Sequence, residues 1–135
     1  MEPPIERIIL SQIASSQLAK LKRYTKINQC HLLCRWGFCL SLAEISPPSP
    51  LPILQTSNLE LTWYEFGGKF ADIFLLALKQ RCYNDNLSTD RETLARQFNL
   101  HLHRGIGYLA GDPNMKKIED LITFETKDEN NIVEV

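Results

Sequence analysis

The chain is predicted to be mainly α, one helical domain that starts with a short strand, and three observations predict it. Apolar residues recur at three- and four-residue spacing in several segments, the period of one buried helix face. Helix-start signals stand where those segments begin, at Ser11, Thr62-Trp63-Tyr64-Glu65 and Thr89-Asp90-Arg91-Glu92. A length of 135 residues, 44% hydrophobic and 23% charged, suits a single domain with a real core. The apolar run from Phe74 to Leu78, extended only by Ile73 before it, falls far short of a membrane span. Met1 to Arg7 lacks the basic start and apolar stretch of an export signal. A cytoplasmic location is therefore expected, with Cys30, Cys34, Cys39 and Cys82 as reduced thiols.

Ile5 to Leu10 reads as a short strand or extended arm, because Pro3 and Pro4 block a helix before it. Ser11 is the expected N-cap of a first helix running to about Tyr24, with Ile13, Ala14, Leu18 and Leu21 facing inward. Asn28 is the expected cap of the second helix, with Ile27 and Leu32 as its hydrophobic staple. That helix, Gln29 to about Glu44, is apolar nearly all round, which in a small chain predicts burial against a second copy. Pro47, Pro48, Pro50 and Pro52 mark a stiff linker. Thr62 and Glu65 fit a capping box opening a third helix to about Tyr83, with Phe66, Phe70, Ile73, Phe74, Ala77 and Leu78 facing in. Asn84-Asp85-Asn86 is a turn. Thr89 and Glu92 fit a second capping box, opening a helix that stops near Gly111. Met115 to Phe124 is a candidate last helix. The resulting division is a single domain over 1–124, comprising a strand-helix-helix unit (5–44), a proline-rich linker (45–60) and a helical pair (61–111), followed by an acidic, frayed tail at 125–135.

A strand and two helices at the start, followed by two or three further helices, is the layout of the ribbon-helix-helix unit of Met-repressor-like proteins. There, strands from two chains pair and enter the major groove. A base-reading ribbon needs alternating polar side chains, and Ile5-Glu6-Arg7-Ile8-Ile9-Leu10 loses its polar face after Arg7. The strand is therefore expected to serve assembly before sequence readout.

No phosphate-binding loop, nucleophile elbow, HExxH helix or EF-hand loop is present, and Gly105-Ile106-Gly107 is not a dinucleotide fingerprint. Glu65, Asp72, Asp85 and Lys79 carry nothing that ties them into a catalytic set. Cys30 and Cys34 share a helix face, but their spacing matches no usual ligand pair; inert buried thiols are expected there and at Cys39 and Cys82. His101 falls on the Leu94–Phe98 face as a core histidine. His103 and Arg104 point elsewhere, toward phosphate, a partner subunit or a structural role. No enzyme activity, metal or cofactor is expected.

The net charge of −1 is unevenly spread: residues 1–43 balance to +4, 44–111 to −1 and 112–135 to −4. Lys20, Lys22, Arg23 and Lys26 crowd the exit of the first helix, with Arg7 and Arg35 in the same third. Cations there complement the helix dipole, worth a few tenths of a kcal/mol each. Multiplied by oligomerisation, they also make a surface for phosphates.

Four segments resemble one family: Ser16-Gln17-Leu18-Ala19-Lys20-Leu21-Lys22, Leu33 to Leu42, Phe70 to Arg81, and His101-Leu102-His103-Arg104-Gly105-Ile106-Gly107-Tyr108-Leu109. The chain is similar over about residues 5–111 to the DNA sulfur modification protein DndE. The resemblance implies a component of DNA phosphorothioation, which replaces a non-bridging backbone oxygen with sulfur. It implies a small helical homotetramer that holds nicked double-stranded DNA, alongside a cysteine desulfurase, an iron–sulfur protein and an ATPase. On that reading Lys20, Lys22, Arg23 and Lys26 hold phosphates beside a break, with Arg7 and Arg35 in support. Two other readings stay open. One is a ribbon-helix-helix regulator of intact duplex. The other is a scaffold for the sulfur-transfer proteins, docked through the acidic tail or His103-Arg104.

Overall fold

The computed structural model describes residues 1–50 and 55–111. The expected helix at 115–124 and the 125–135 tail lie outside them. In chain order the elements are β1 (Arg7–Ser11), α1 (Gln12–Thr25), α2 (Cys30–Ala43), β2 (Thr56–Thr62), α3 (Trp63–Gly67), a 3-10 turn (Gly68–Phe70), α4 (Ala71–Asn84) and α5 (Arg91–Gly111). The mainly helical class and the strand-helix-helix start are as the sequence predicts.

The partner of the first strand is not as expected. β1 pairs antiparallel with β2 of the same chain, with Arg7 opposite Thr62, Ile8 opposite Leu61 and Ile9 opposite Glu60. The linker therefore ends before residue 56, and its last residues belong to the ribbon. The polar sequence Thr56-Ser57-Asn58-Leu59-Glu60 hid this strand, because it lies half on the surface. An irregularity falls between Ile9 and Ser11, where Ser57 Oγ donates to the Leu10 carbonyl at 2.9 Å. Ile8 and Leu10 are fully buried beneath the ribbon, and Ile9 faces solvent.

Ser11 caps α1, its Oγ accepting from the Ala14 N–H at 3.0 Å. Ala14, Leu18 and Leu21 are buried as predicted, but Ile13 is 72% exposed. The cap of α2 is Gln29, with no side-chain bond, and not Asn28. The reason lies upstream: Thr25 Oγ1 accepts from the Ile27 N–H, Lys26 turns left-handed, and the last extended residue before the helix is Gln29.

Thr62 and Glu65 form the predicted capping box, with both bonds at 3.0 Å. The single helix expected after it is broken at Gly67-Gly68, where Gly68 takes φ 54°. That break changes the helical phase. Ala71, Leu75, Leu78 and Cys82 face the core, while Phe70 and Ile73, expected inside, face out. At the start of α5 Asp90, and not Thr89, is the cap, its Oδ1 accepting from the Thr93 N–H at 2.7 Å.

The core is aromatic at its centre. Phe38 of α2 meets Phe66, Phe74, Phe98 and His101, and Trp63 closes on Phe66 and Phe98. α2 packs most extensively against α5. Their backbones meet at Gly37 and Gly105, where a Cβ on Gly105 would stand 1.6 Å from the Gly37 carbonyl oxygen. This crossing explains why α5 tolerates glycine in its interior. Arg81, almost fully buried, donates to the carbonyls of Leu42, Glu44, Ile45 and Ser46 and pairs with Asp85 at 2.9 Å. It fastens α4 to the chain leaving α2.

Candidate nucleic-acid interface

Four of the predicted cations lie in the last turns and at the exit of α1. Lys22 and Arg23 lie in its last turn, where the helix dipole favours positive charge. Lys26 follows as the left-handed cap at φ 65°, its N–H donating to the Lys22 carbonyl at 3.1 Å. Thr25 is buried behind them, its hydroxyl donating to the Leu21 carbonyl at 2.7 Å, so the turn is held from inside. Lys20 is half-buried; its Nζ donates to the Ala110 carbonyl at 3.2 Å and stands 5.7 Å from the Tyr24 ring centre. Arg23 and Lys26 are exposed. The Lys22 charge acts on both Cys30 and Cys34 at the start of α2.

Among the described residues, none of these four has a carboxylate partner; the ion pairs are Arg7–Glu60, Arg81–Asp85 and Arg91–Glu6. Arg7 and Arg35 stand apart from the cluster. Arg7 reaches Glu60 across the ribbon at 3.6 Å. Arg35 Nε donates to the Phe66 carbonyl, and its guanidinium fills the space a Cβ on Gly68 would need. Tyr24, 42% exposed in the same end of α1, is a neighbour the helical periodicity did not single out.

The histidines of α5 are built into the fold. His101 is fully buried, with Nδ1 2.8 Å from Ser41 Oγ. Burial, with the Arg81 and Arg104 charges, holds its imidazole down to about 4. His103 Nδ1 bonds the Asn99 carbonyl at 2.7 Å, and its Nε2 accepts from the Ser11 N–H at 3.1 Å. Arg104 donates to Ser41 Oγ and to the carbonyls of Ser41 and Ser46, each at 2.8 Å. These bonds make His103 and Arg104 structural within the chain. Of the cysteines, Cys34 and Cys82 are buried as expected, Cys30 is partly exposed, and Cys39, expected buried, is exposed. Cys39 sits on the exposed side of α2.

The family profile of the DNA sulphur modification protein DndE matches residues 7–117. The chain belongs to the DndE family. The crystal structure of DndE from Escherichia coli B7A, involved in DNA phosphorothioation modification, is 27% identical with a TM-score of 0.65, covering 81% of this chain and 98% of that one. A second DndE crystal structure, of a glycine-to-lysine mutant involved in DNA phosphorothioation, is 24% identical with a TM-score of 0.59, covering 79% and 98%; it shows the shared fold. No curated protein sequence matches the chain. DndE membership bears out the resemblance carried by the four sequence segments and gives the chain a role in DNA phosphorothioation. No helix among the described residues is long and apolar enough to cross a membrane.

Proposed function

We propose that this DndE-family protein is a non-catalytic component that holds nicked double-stranded DNA by its phosphate backbone, without sequence readout. The observation that carries this reading is the exit of α1, where Lys20, Lys22, Arg23 and Lys26 stand together with no carboxylate partner among the described residues. Lys26 adds weight. A lysine in the left-handed region is less favourable than glycine by about 1 kcal/mol, so its charge is kept at some expense to the turn. Lys22, Arg23 and Lys26 are the foremost phosphate contacts; Lys20 is partly committed to Ala110, and Arg7 and Arg35 have other partners. A nick is a backbone feature, which fits a cluster that offers positive charge to phosphates. The ribbon offers a regulator little: β1 pairs with β2 of its own chain and not with a second copy, and Arg7 on its outer face is paired with Glu60.

The protein acts in this reading as a homotetramer in the cytoplasm, beside the cysteine desulfurase, iron–sulfur protein and ATPase of the modification system. Self-association draws support from α4, whose outer face exposes Ile73 (62%), Leu76 (51%) and Tyr83 (73%), with Phe70 just before it. Apolar side chains in such a row belong to an interface more often than to open solvent. The test is competition between nicked and intact duplex of one sequence over a salt series, with mass by light scattering. Preference for the nick, a tetramer mass and steep salt dependence are expected; equal or absent binding overturns the reading.

A further inference from the structure

The start of α2 holds a pair of thiols that DNA holding does not use. Cys30 is the first residue of the helix and Cys34 lies one turn on, with Sγ atoms 3.9 Å apart. Cys34 is buried and Cys30 is partly exposed, so the outer thiol can be reached while the inner one serves it. Three features favour a thiolate on Cys30. The Cys34 thiol lies within hydrogen-bond reach, where its S–H can donate to an ionised Cys30, Lys22 supplies a positive charge, and the helix N-terminus carries neither a side-chain cap nor an acidic residue in its first turn. The bond shared with Cys34, aided by the Lys22 charge and opposed by burial, brings the Cys30 thiol down to about 7, while the same bond and burial push Cys34 up.

We propose that Cys30 is a sulfur-acceptor site, which takes a sulfane sulfur from the cysteine persulfide of a donor protein while Cys34 acts as its positioning thiol. The proposal rests on membership of a DNA sulphur modification family and not on the DNA-holding reading. In the step, the Cys30 thiolate attacks the outer sulfur of the donor persulfide. The new bond joins Cys30 Sγ to that sulfur, and the donor S–S bond breaks. The donor's inner sulfur leaves as a thiolate with the bonding pair. The hydrogen of the outer sulfur travels with it, so Cys30 ends as a hydropersulfide and no external oxidant or reductant is consumed. The Cys34 S–H that steadied the thiolate is placed to steady the anion of the product. Lys22 belongs to both settings, so a sulfur held on Cys30 would lie beside the proposed phosphate-binding cations.

The test treats the full-length protein, without DNA and without oxygen, with glutathione persulfide, and follows intact mass and peptide mapping. One added sulfur atom per chain is expected, located on Cys30 and absent from Cys30→Ser. At neutral pH, Cys34→Ala is expected to slow loading by about fivefold or more, since the lost hydrogen bond reduces the thiolate fraction faster than the gain in nucleophilicity restores the rate. Cys34→Ser, which keeps a donor, should recover most of that rate. Equal loading of the exposed Cys39 in the unsubstituted protein would overturn the proposal, and so would an unchanged rate in a folded Cys34→Ala. The first comparison needs no variant to fold. Cys30→Ser should bind nicked duplex as the unsubstituted protein does, so loss of loading and loss of DNA holding are told apart.

Discussion

At the scale of single residues, two positions set opposing demands on the same fold. His101 sits in the core as a neutral ring between the Arg81 and Arg104 charges and bonds Ser41. Its pKa in the folded chain lies near 4, below the ordinary 6.5. Between those values the unfolded chain binds the proton and the folded chain does not, so stability is full above the ordinary histidine range and falls as acid is added. Burial lowers His103 as well and acts in the same direction. Urea unfolding at about pH 7.5 and about pH 5 should therefore differ by about 2 kcal/mol from His101 alone. His101→Leu should flatten that dependence while lowering stability at the higher pH, and an unchanged slope would show that the ring is not held neutral. Lys26 makes the contrary case. Its φ of 65° suits glycine, so Lys26→Gly should raise stability by about 1 kcal/mol in the same urea assay. The variant should weaken DNA binding at the same time, which separates the charge from the turn.

At the scale of elements, the crossing of α2 and α5 rests on two glycines. Gly105→Ala would place a methyl group against the Gly37 backbone, with no flexible side chain to yield, so one helix must shift. A loss of about 3 kcal/mol or more is expected in denaturant unfolding. Gly107, two residues on, would meet only the Gln17 side-chain end at 3.8 Å, and Gly107→Ala should stabilise α5 by about 0.5–1 kcal/mol. Equal effects at the two sites would refute the close crossing. The sequence places Gly105 and Gly107 inside a helical pattern but does not tell which helix they touch, because the Gly105 contact is made by backbone far away in the chain. Caps were legible where one side chain settles the geometry, as at Ser11 and Thr62. They were misplaced by one residue at Asn28 and Thr89, where neighbouring residues compete for the same role. The inward face of α4 was misread because the period was carried across Gly67-Gly68 as though the helix were continuous. β2 went unseen because its Thr, Ser and Asn residues look like a loop until β1 supplies the partner. Among candidate site residues, the α1 cluster was legible because its members follow one another in sequence. The separate engagements of Arg7 and Arg35, and the closeness of the Cys30 and Cys34 sulfurs, depend on side-chain direction that spacing alone does not give.

At the scale of the whole molecule, the basic cluster and the longest row of exposed apolar side chains lie on different elements. The basic cluster that has no carboxylate partner among the described residues lies at the exit of α1, and the exposed apolar row lies on α4. Association through α4 would therefore leave the basic ends open and multiply them, and the two properties can be removed one at a time. The triple variant Lys22→Ala/Arg23→Ala/Lys26→Ala should keep its oligomeric mass and its thermal unfolding, since none of the three side chains is buried. Its DNA affinity should fall, and the slope of log affinity against log salt should shrink by about 0.9 for each lost phosphate contact, or about 3 per chain if all three engage. Ile73→Glu/Leu76→Glu should do the reverse, releasing monomers whose single basic end binds weakly and shows a shallower salt slope. A triple variant with unchanged slope would mean that phosphates are held elsewhere on the molecule. Monomers that bind as tightly as the assembly would mean that one α1 exit suffices, and that the apolar face of α4 serves another partner.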